Sequence, residues 1–312
     1  MSERIRKKII DEILGPGSKH GEEHLYLCPS CNHHKKKLSV NFSKNVFKCW
    51  VCDYSGKNLR RIVKKHGQFY HIKDWPLGED EREVGILGEQ MFQTEETAPE
   101  QVIQLPEEFC SLANKDLPIG TLFPRGYLER RGITKKDVIR WKIGYCSEGK
   151  YAGRVVVPSF GLTGRCNYFV ARSYNNDWRK YLNPNISKDI IFNELYIDWD
   201  SDIILVEGIF DAIVAGPNAI PILGSTLREE SRLFKKIVEA DASVYLALDP
   251  DAEKKTNMIC KKFLQYGIET RKVSVDPFND VAEMSKKQFK NRLQTAELIT
   301  EDNYLIKTIM SL

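Results

Sequence analysis

Four of the eight cysteines fall into one pattern, Cys28-Pro-Ser-Cys31 and Cys49-Trp-Val-Cys52, two CxxC pairs with 17 residues between them. A CxxC knuckle aims two thiolates at one point, and two knuckles complete a tetrahedral sulfur set about 2.3 Å from a zinc ion. Four thiolates leave no open position, so the expected ion is one structural Zn²⁺. A structural disulfide competes with this reading, but paired CxxC in a chain that starts without a signal peptide favours metal. His33 and His34 lie between the pairs, beside Lys35-Lys36-Lys37, and read as exposed or phosphate-facing.

The second candidate chemistry is that of carboxylates. Glu207, Asp249, Asp251 and Asp276 each follow an apolar run, and Asp211, four residues beyond Glu207, shares the face of an opening helical turn with it. Carboxylates converging in this way repel one another unless cations intervene. Oxygen-only ligands suit Mg²⁺ or Mn²⁺ rather than zinc. All six histidines lie at positions 20, 24, 33, 34, 66 and 71. The large C-terminal body therefore excludes a Ser-His-Asp triad, a Cys-His pair and a histidine-ligated metal centre. Its chemistry must use carboxylates, Lys, Arg or Tyr.

These groups need elements to position them. Leu38-Ser-Val-Asn-Phe42 alternates, Ser43-Lys44-Asn45 turns, and Val46-Phe-Lys-Cys-Trp50 returns, a hairpin that delivers the second knuckle. From Ser201 apolar runs and helical patterns alternate: strands at 202–207, 219–224, 243–249 and 270–275, with helices opening at 209 and spanning 228–240 and 252–266. That is the pattern of a parallel sheet wound with helices, whose carboxyl edge is where ligands bind.

Charge divides the chain further. Residues 1–71 carry 15 Lys/Arg against 6 Asp/Glu, and residues 74–108 carry 1 against 11. The basic head predicts a polyanionic partner. Lys35, Lys36, Lys37, Lys44 and Lys48 interleave with Phe42, Phe47, Trp50 and Tyr54, which suits single-strand binding by phosphate neutralisation and base stacking, although a ribbon this small needs some of those rings for its core. The acidic stretch reads as a solvated tether. At 312 residues two or three domains are expected. No stretch approaches the roughly 18 uncharged apolar residues of a membrane span, so a cytoplasmic location (the host's, for a phage protein) and no membrane partner are expected.

Val206-Glu207-Gly208-x-x-Asp211, Leu248-Asp249-Pro250-Asp251 and Asp276-Pro277-x-Asn279-Asp280 resemble the TOPRIM domain shared by topoisomerases and bacterial-type DNA primases. Upstream, Tyr127-Leu-Glu-Arg-Arg131-Gly132, Ile143-Gly144-Tyr145, Gly153-Arg154-Val-Val-Val-Pro158, Gly164-Arg165 and Lys180-Tyr-Leu-Asn183-Pro resemble, in order, the primase polymerase core. The cysteine head is similar to the zinc-binding domain of the same primases, particularly phage ones, with Cys31 where bacterial members usually carry histidine. Val170-Ala171 stand where glycines often precede the arginine matched by Arg172, and the last acidic motif carries one extra residue.

The resemblance implies an α/β fold: a TOPRIM, Rossmann-like parallel sheet, an α+β primase core subdomain and a small N-terminal zinc ribbon. The implied domains are a DNA-binding zinc ribbon at 1–72, a flexible acidic linker at 73–108, the N-terminal part of an RNA polymerase core at 109–200, the TOPRIM subdomain at 201–285 and a helical end at 286–312. Glu207, Asp249 and Asp251 would be catalytic, and Asp211, Asp276 and Asp280 would join them in holding Mg²⁺ or Mn²⁺. Arg154, Arg165, Arg172, Lys180 and Asn183 would bind nucleotide and template, and Lys35, Lys36, Lys37, Lys48 and Trp50 would bind DNA in the zinc domain. The implied activity is synthesis of short RNA primers from ribonucleoside triphosphates on single-stranded DNA by two-metal nucleotidyl transfer. With no GxxxxGK[ST] loop, a replicative helicase is expected in trans, together with a single-strand binding protein. The alternatives are a TOPRIM nuclease or topoisomerase-like enzyme, and a non-catalytic zinc protein whose acidic sheet is a relic.

Overall fold

The predicted hairpin is the centre of the first of two units, Met1–Gln93 and Thr94–Leu312, into which the chain divides. A computed structural model describes residues 2–76 and 100–300 apart from 53, 57, 176 and 225. Residues 77–99, most of the expected acidic linker, and 301–312, the second half of the expected helical end, lie outside the described residues.

In the first unit α1 (Ser2–Leu14) precedes β1 (Ser18–His20), β2 (Glu23–Tyr26), β3 (Leu38–Asn41), β4 (Val46–Cys49) and β5 (Ser55–Gly56), and α2 (Arg60–His66) and α3 (Phe69–Asp74) follow. The strands form one antiparallel sheet in sequence order. Val40 faces Phe47 across the hairpin, and Asn45 takes the left-handed conformation that closes the turn. Ile9 and Ile10 of α1 pack with Leu38, Val40, Phe47 and Ile62 into a small core. The sequence reading passed over α1, although Ile5, Ile9, Ile10 and Ile13 recur at helical spacing. Gly17 is required where it stands, because a Cβ there would lie 2.5 Å from the Tyr26 ring. That ring is fully buried and its hydroxyl donates to Asp11 Oδ1 at 2.7 Å.

The second unit holds two sheets. The first is antiparallel and again in sequence order: β6 (Phe109–Ser111), then, after helices α4 (Leu122–Arg130) and α5 (Lys135–Arg140), β7 (Gly144–Cys146), β8 (Arg154–Phe160) and β9 (Cys166–Ser173). The second alternates strand and helix: β10 (Ile203–Val206), α6 (Ile209–Ala215), β11 (Ala219–Pro221), α7 (Arg232–Ala240), β12 (Val244–Ala247), α8 (Glu253–Gln265), β13 (Thr270–Lys272), α9 (Lys286–Gln294) and β14 (Glu297–Leu298). Its order is β11-β10-β12-β13-β14, parallel except for the β14 edge.

All four residues of β10 are buried, as a parallel strand covered on both faces requires. Its side chains alternate between two cores. Ile204 and Val206 join Val155, Val157, Tyr168 and Val170 of the antiparallel sheet, whereas Ile203 and Leu205 join Phe234, Ile237, Ile259 and Phe263 of α7 and α8. The elements read from Ser201 onward thus appear in the expected order, with shorter strands. Helix α7 starts four residues late because Ser231 caps it, accepting from the Phe234 amide.

Candidate functional site

In the first unit Cys28 follows β2 by two residues and β4 ends at Cys49, and β3 lies between them with Leu38 facing Tyr26 on one side and Cys49 on the other, so the two knuckles meet at one end of the sheet. The Cys28 and Cys52 sulfurs lie 3.7 Å apart, and those of Cys31 and Cys49 3.9 Å. A tetrahedron of sulfurs about 2.3 Å from a central zinc has edges of roughly 3.8 Å, so the four thiols fit that ion. Backbone amides complete the knuckles: Asn32 N donates to the Cys28 carbonyl at 3.0 Å and Val51 N to Cys49 Sγ at 3.4 Å. His33 and His34 stack on each other outside this set.

The basic and aromatic residues nearby separate into two groups. Phe42 and Phe47 are core, whereas Trp50 is 67% exposed with Lys48 Nζ 5.1 Å from its ring centre. Lys35 and Lys37 are exposed, and Lys36 turns back to donate to the Pro16 carbonyl and to Ser18 Oγ.

In the second unit the acidic residues meet at the carboxyl edge of the parallel sheet. Glu207 follows β10 directly. Asp211, buried in the first turn of α6, accepts from the Gly208 amide at 2.9 Å through one oxygen and from the Ala282 amide at 2.9 Å through the other. The second bond ties the turn after β13 to α6 and carries Asp280 with it; Asp280 itself caps that turn by accepting from Glu283 N. Burial, and then the Asp280 charge, raise the Asp211 pKa to about 6. Asp249 is raised to about 7 by burial and by Glu207, Asp211, Asp280 and Asp251. Five carboxylates therefore share one field. Asp276 is placed differently: it is exposed, and its carbonyl accepts from Arg292.

Glu207 Oε1 and Asp249 Oδ1 are buried without a hydrogen-bond donor. Lys255 Nζ stands 3.7 Å from the other Glu207 oxygen. Buried carboxylate oxygens facing no donor are what a hard divalent cation binds, and this all-oxygen set fits Mg²⁺ or Mn²⁺. The carboxylates stand wider apart than the thiols; among the described residues the four cysteines are the one set of three or more potential ligands lying within 4.8 Å of one another.

The basic residues expected to bind nucleotide divide by burial. Arg154 is 2% exposed and turned inward: it donates to the Arg179 carbonyl at 2.8 Å, to the Lys180 carbonyl at 3.4 Å and to Asp177 at 2.6 Å. It shapes the loop that presents Lys180. Asn183 is likewise held, its side chain accepting from the Ala171 amide. Lys180 and Arg165 are exposed, and Arg172 lies over the Tyr181 ring at 4.5 Å. The Arg172 and Asp211 charges both act on Tyr181, which puts this loop beside the acidic edge. Sequence reasoning passed over Lys255, four residues after Asp251, and gave no role of its own to Arg131, whose guanidinium covers the Tyr127 and Phe210 rings at 5.1 and 4.9 Å.

No family model matches the chain. It is 22% identical to the DNA primase of Thermotoga maritima over 94% of this chain and 60% of that protein, and 23% identical to the DNA primase of Halalkalibacterium halodurans over 80% and 50%. The chain thus spans half to three-fifths of the length of these curated relatives. The crystal structure of the zinc-binding and RNA polymerase domains of the Aquifex aeolicus primase matches all of this chain and 89% of that one, with a TM-score of 0.50 and 20% identity. The catalytic domain of a DnaG primase, solved bound to single-stranded DNA, matches 62% of this chain and 77% of that one, with a TM-score of 0.53 and 19% identity. In sequence and fold the chain is similar to bacterial DNA primases. The fold is that of a zinc-binding domain followed by a primase core. Among the described residues no helix is long and apolar enough to cross a membrane.

Proposed function

We propose that the chain is a DNA-dependent RNA primase that joins ribonucleoside triphosphates into short RNA primers on single-stranded DNA. The observation that carries this reading is the convergence of Glu207, Asp211, Asp249, Asp251 and Asp280 at one sheet edge, with buried oxygens of Glu207 and Asp249 facing no donor. In this reading the parallel sheet is a TOPRIM subdomain, the four thiols hold one structural zinc, and residues 73–108 tether the zinc head to the core. Location in the cytoplasm and a helicase and single-strand binding protein in trans belong to the same proposal.

Glu207, Asp249 and Asp251 would hold Mg²⁺ or Mn²⁺, with Asp211 and Asp280 closing the set behind them and Asp276 at its margin. Bound to those residues, such ions would supply the charge that acidifies an attacking 3′-hydroxyl and offsets that of the pyrophosphate leaving as the new P–O bond replaces the α–β link. The chain's own work is positioning. Asp211 locks the sheet edge through two backbone amides. Lys255 holds one Glu207 oxygen by charge and leaves the other free. Arg172, Lys180 and Arg165 would neutralise template and triphosphate phosphates, with Arg154 and Asn183 holding the segment that carries Lys180. In the head, Lys48 and Trp50, with Lys35 and Lys37, would grip the strand at which synthesis starts.

The test is incubation of the purified chain with single-stranded DNA of varied trinucleotides, labelled ribonucleoside triphosphates and Mg²⁺ or Mn²⁺, resolved on a denaturing gel. Short template-dependent RNA is expected. Shortened DNA without RNA would move the chain to the nucleases.

A further inference from the structure

The loop between β9 and Lys180 carries a feature that no part of the nucleotidyl-transfer chemistry uses. Trp178 is 85% exposed, and the Arg179 guanidinium lies 5.0 Å from its ring centre. An exposed indole offers a broad flat apolar face with a polar edge. The loop that holds it out is a built one. Arg154, 2% exposed, grips the carbonyls of Arg179 and Lys180 and the carboxylate of Asp177. Asp177 in turn accepts from the Arg179 amide at 2.8 Å. Before it, Ser173 Oγ donates to the Asn175 carbonyl and accepts from the Asn175 amide, and the Tyr174 amide reaches the Gly153 carbonyl at 3.1 Å. The backbone on both sides of Trp178 is fixed while its ring stands in solvent.

Three residues further on the arrangement repeats: Tyr181, 44% exposed, lies under Arg172 at 4.5 Å. Two rings, each with a guanidinium against it and with Lys180 between them, combine flat faces with positive charge. That pairing fits an unpaired nucleic-acid strand, whose bases stack on rings while its phosphates meet Arg and Lys. The loop sits beside the acidic edge, since Asp211 acts electrostatically on Tyr181.

We propose that Trp178 is a stacking platform for an unpaired base of the template strand, aligning that strand with the acidic site. This rests on the primase reading above and adds a positioning residue to it. The site takes a base of any identity, because every base offers a π-face.

The full chain is titrated against a fluorescein-labelled oligothymidylate by anisotropy over a series of salt concentrations. Trp178→Ala should weaken binding by about 5- to 150-fold, the loss of one base–aromatic stack, and Trp178→Phe should restore most of it. The slope of log affinity against log salt should be unchanged in both, because no phosphate contact is removed, whereas Arg179→Ala should flatten it. A merely structural role for the indole would lower the thermal midpoint of Trp178→Ala, and a native midpoint together with the Phe rescue distinguishes the two. Wild-type binding that Trp178→Ala leaves intact would overturn this proposal alone. A wild-type chain that binds no single strand would overturn the template reading and this proposal with it.

Discussion

The four thiols of the first unit lie within 24 positions of one another in sequence and meet because β2 and β4, the two strands that flank β3, finish at the same end of the sheet. The carboxylates of the second unit meet across 73 positions, from 207 to 280, with the help of a backbone amide of the turn after β13 that Asp211 captures. One site is a product of local register, the other of topology. The consequence is a difference in what each site supports. Cys28 and Cys49 are themselves members of the first unit's small core, so an ion there is part of what holds that unit together. The carboxylates rim a sheet with two apolar cores of its own, so the ion proposed there would serve chemistry while the fold stands without it.

The sharpest way to break this contrast is Cys28→Ser. Structural zinc contributes on the order of 10 kcal/mol to a small domain. The variant should lose its zinc and unfold the first unit, seen as metal release and rapid proteolysis within residues 1–76, while the thermal transition of the second unit stays in place. A first unit that survives without zinc would erase the distinction.

Asp249→Asn tests the other side. Primer synthesis should fall by at least about a hundredfold, the scale of losing several kcal/mol of charge stabilisation. Stability should move the opposite way. Burial, followed by the charges of Glu207, Asp211, Asp280 and Asp251, raises the Asp249 pKa to about 7 in the folded chain, against 3.8 for the ordinary side chain. A raised folded-state pKa means stability fully present below about pH 3.8 and lost progressively as pH rises from there to about 7. In EDTA the variant should therefore be more stable than wild type near pH 8, by a margin that narrows as pH falls below about 7 and closes only near pH 4, by thermal melts. A variant less stable at both would mean that Asp249 is structural.

How far each site was legible follows from the same contrast. The CxxC spacing and the alternation of residues 38–50 lie within one stretch of chain, so sequence alone brings the thiols together. The order of strands and helices from Ser201 was readable for the same reason, since each apolar run is local. Asp280 was harder to weigh against Asp276, because what draws it in is a bond from the Ala282 amide to a residue in another helix. Arg154 is expected at the nucleotide and template from its place in the Gly153-Arg154-Val-Val-Val-Pro158 motif, whereas its burial depends on Asp177 and two carbonyls more than 20 residues away, which no local pattern signals. Trp178 carries no periodic signal at all.

Arg154 gives the next effect in size. Arg154→Ala should cost about 2 kcal/mol, through the loss of its bonds to the Arg179 carbonyl and to a partly solvated Asp177, the Lys180 carbonyl keeping its bond from the Ser173 amide. Its DNA affinity should fall because the Lys180 loop slackens, with an unaltered salt slope, whereas Lys180→Ala should lower that slope by about one phosphate contact. Equal slope changes in both would return Arg154 to the template track.

The smallest expected effect asks whether long-range side-chain ties, and not the apolar cores alone, join the parts of the second unit. Asp137 is buried at the start of α5, where it accepts from the Thr134 amide at 2.9 Å and the Thr134 hydroxyl at 2.6 Å. It also accepts from Lys286, 149 positions away at the start of α9. Burial alone would raise its pKa, but the Lys286 bond and the Thr134 donors outweigh that and leave it below the ordinary 3.8. A depressed folded-state pKa contributes stability above about pH 4 that disappears as pH falls through the folded value. Lys286 is 47% exposed, so solvent screens the pair and Asp137→Asn should cost only about 1 kcal/mol. The difference between wild type and variant in urea midpoint should be flat from about pH 7 to pH 5 and shrink below about pH 4. Lys286→Ala should reproduce most of it, with little further loss in the double variant, because both remove one interaction. Additive losses would mean that the two side chains act separately, Asp137 as a cap on α5 and Lys286 on α9, and that burial alone holds α5 and α9 together.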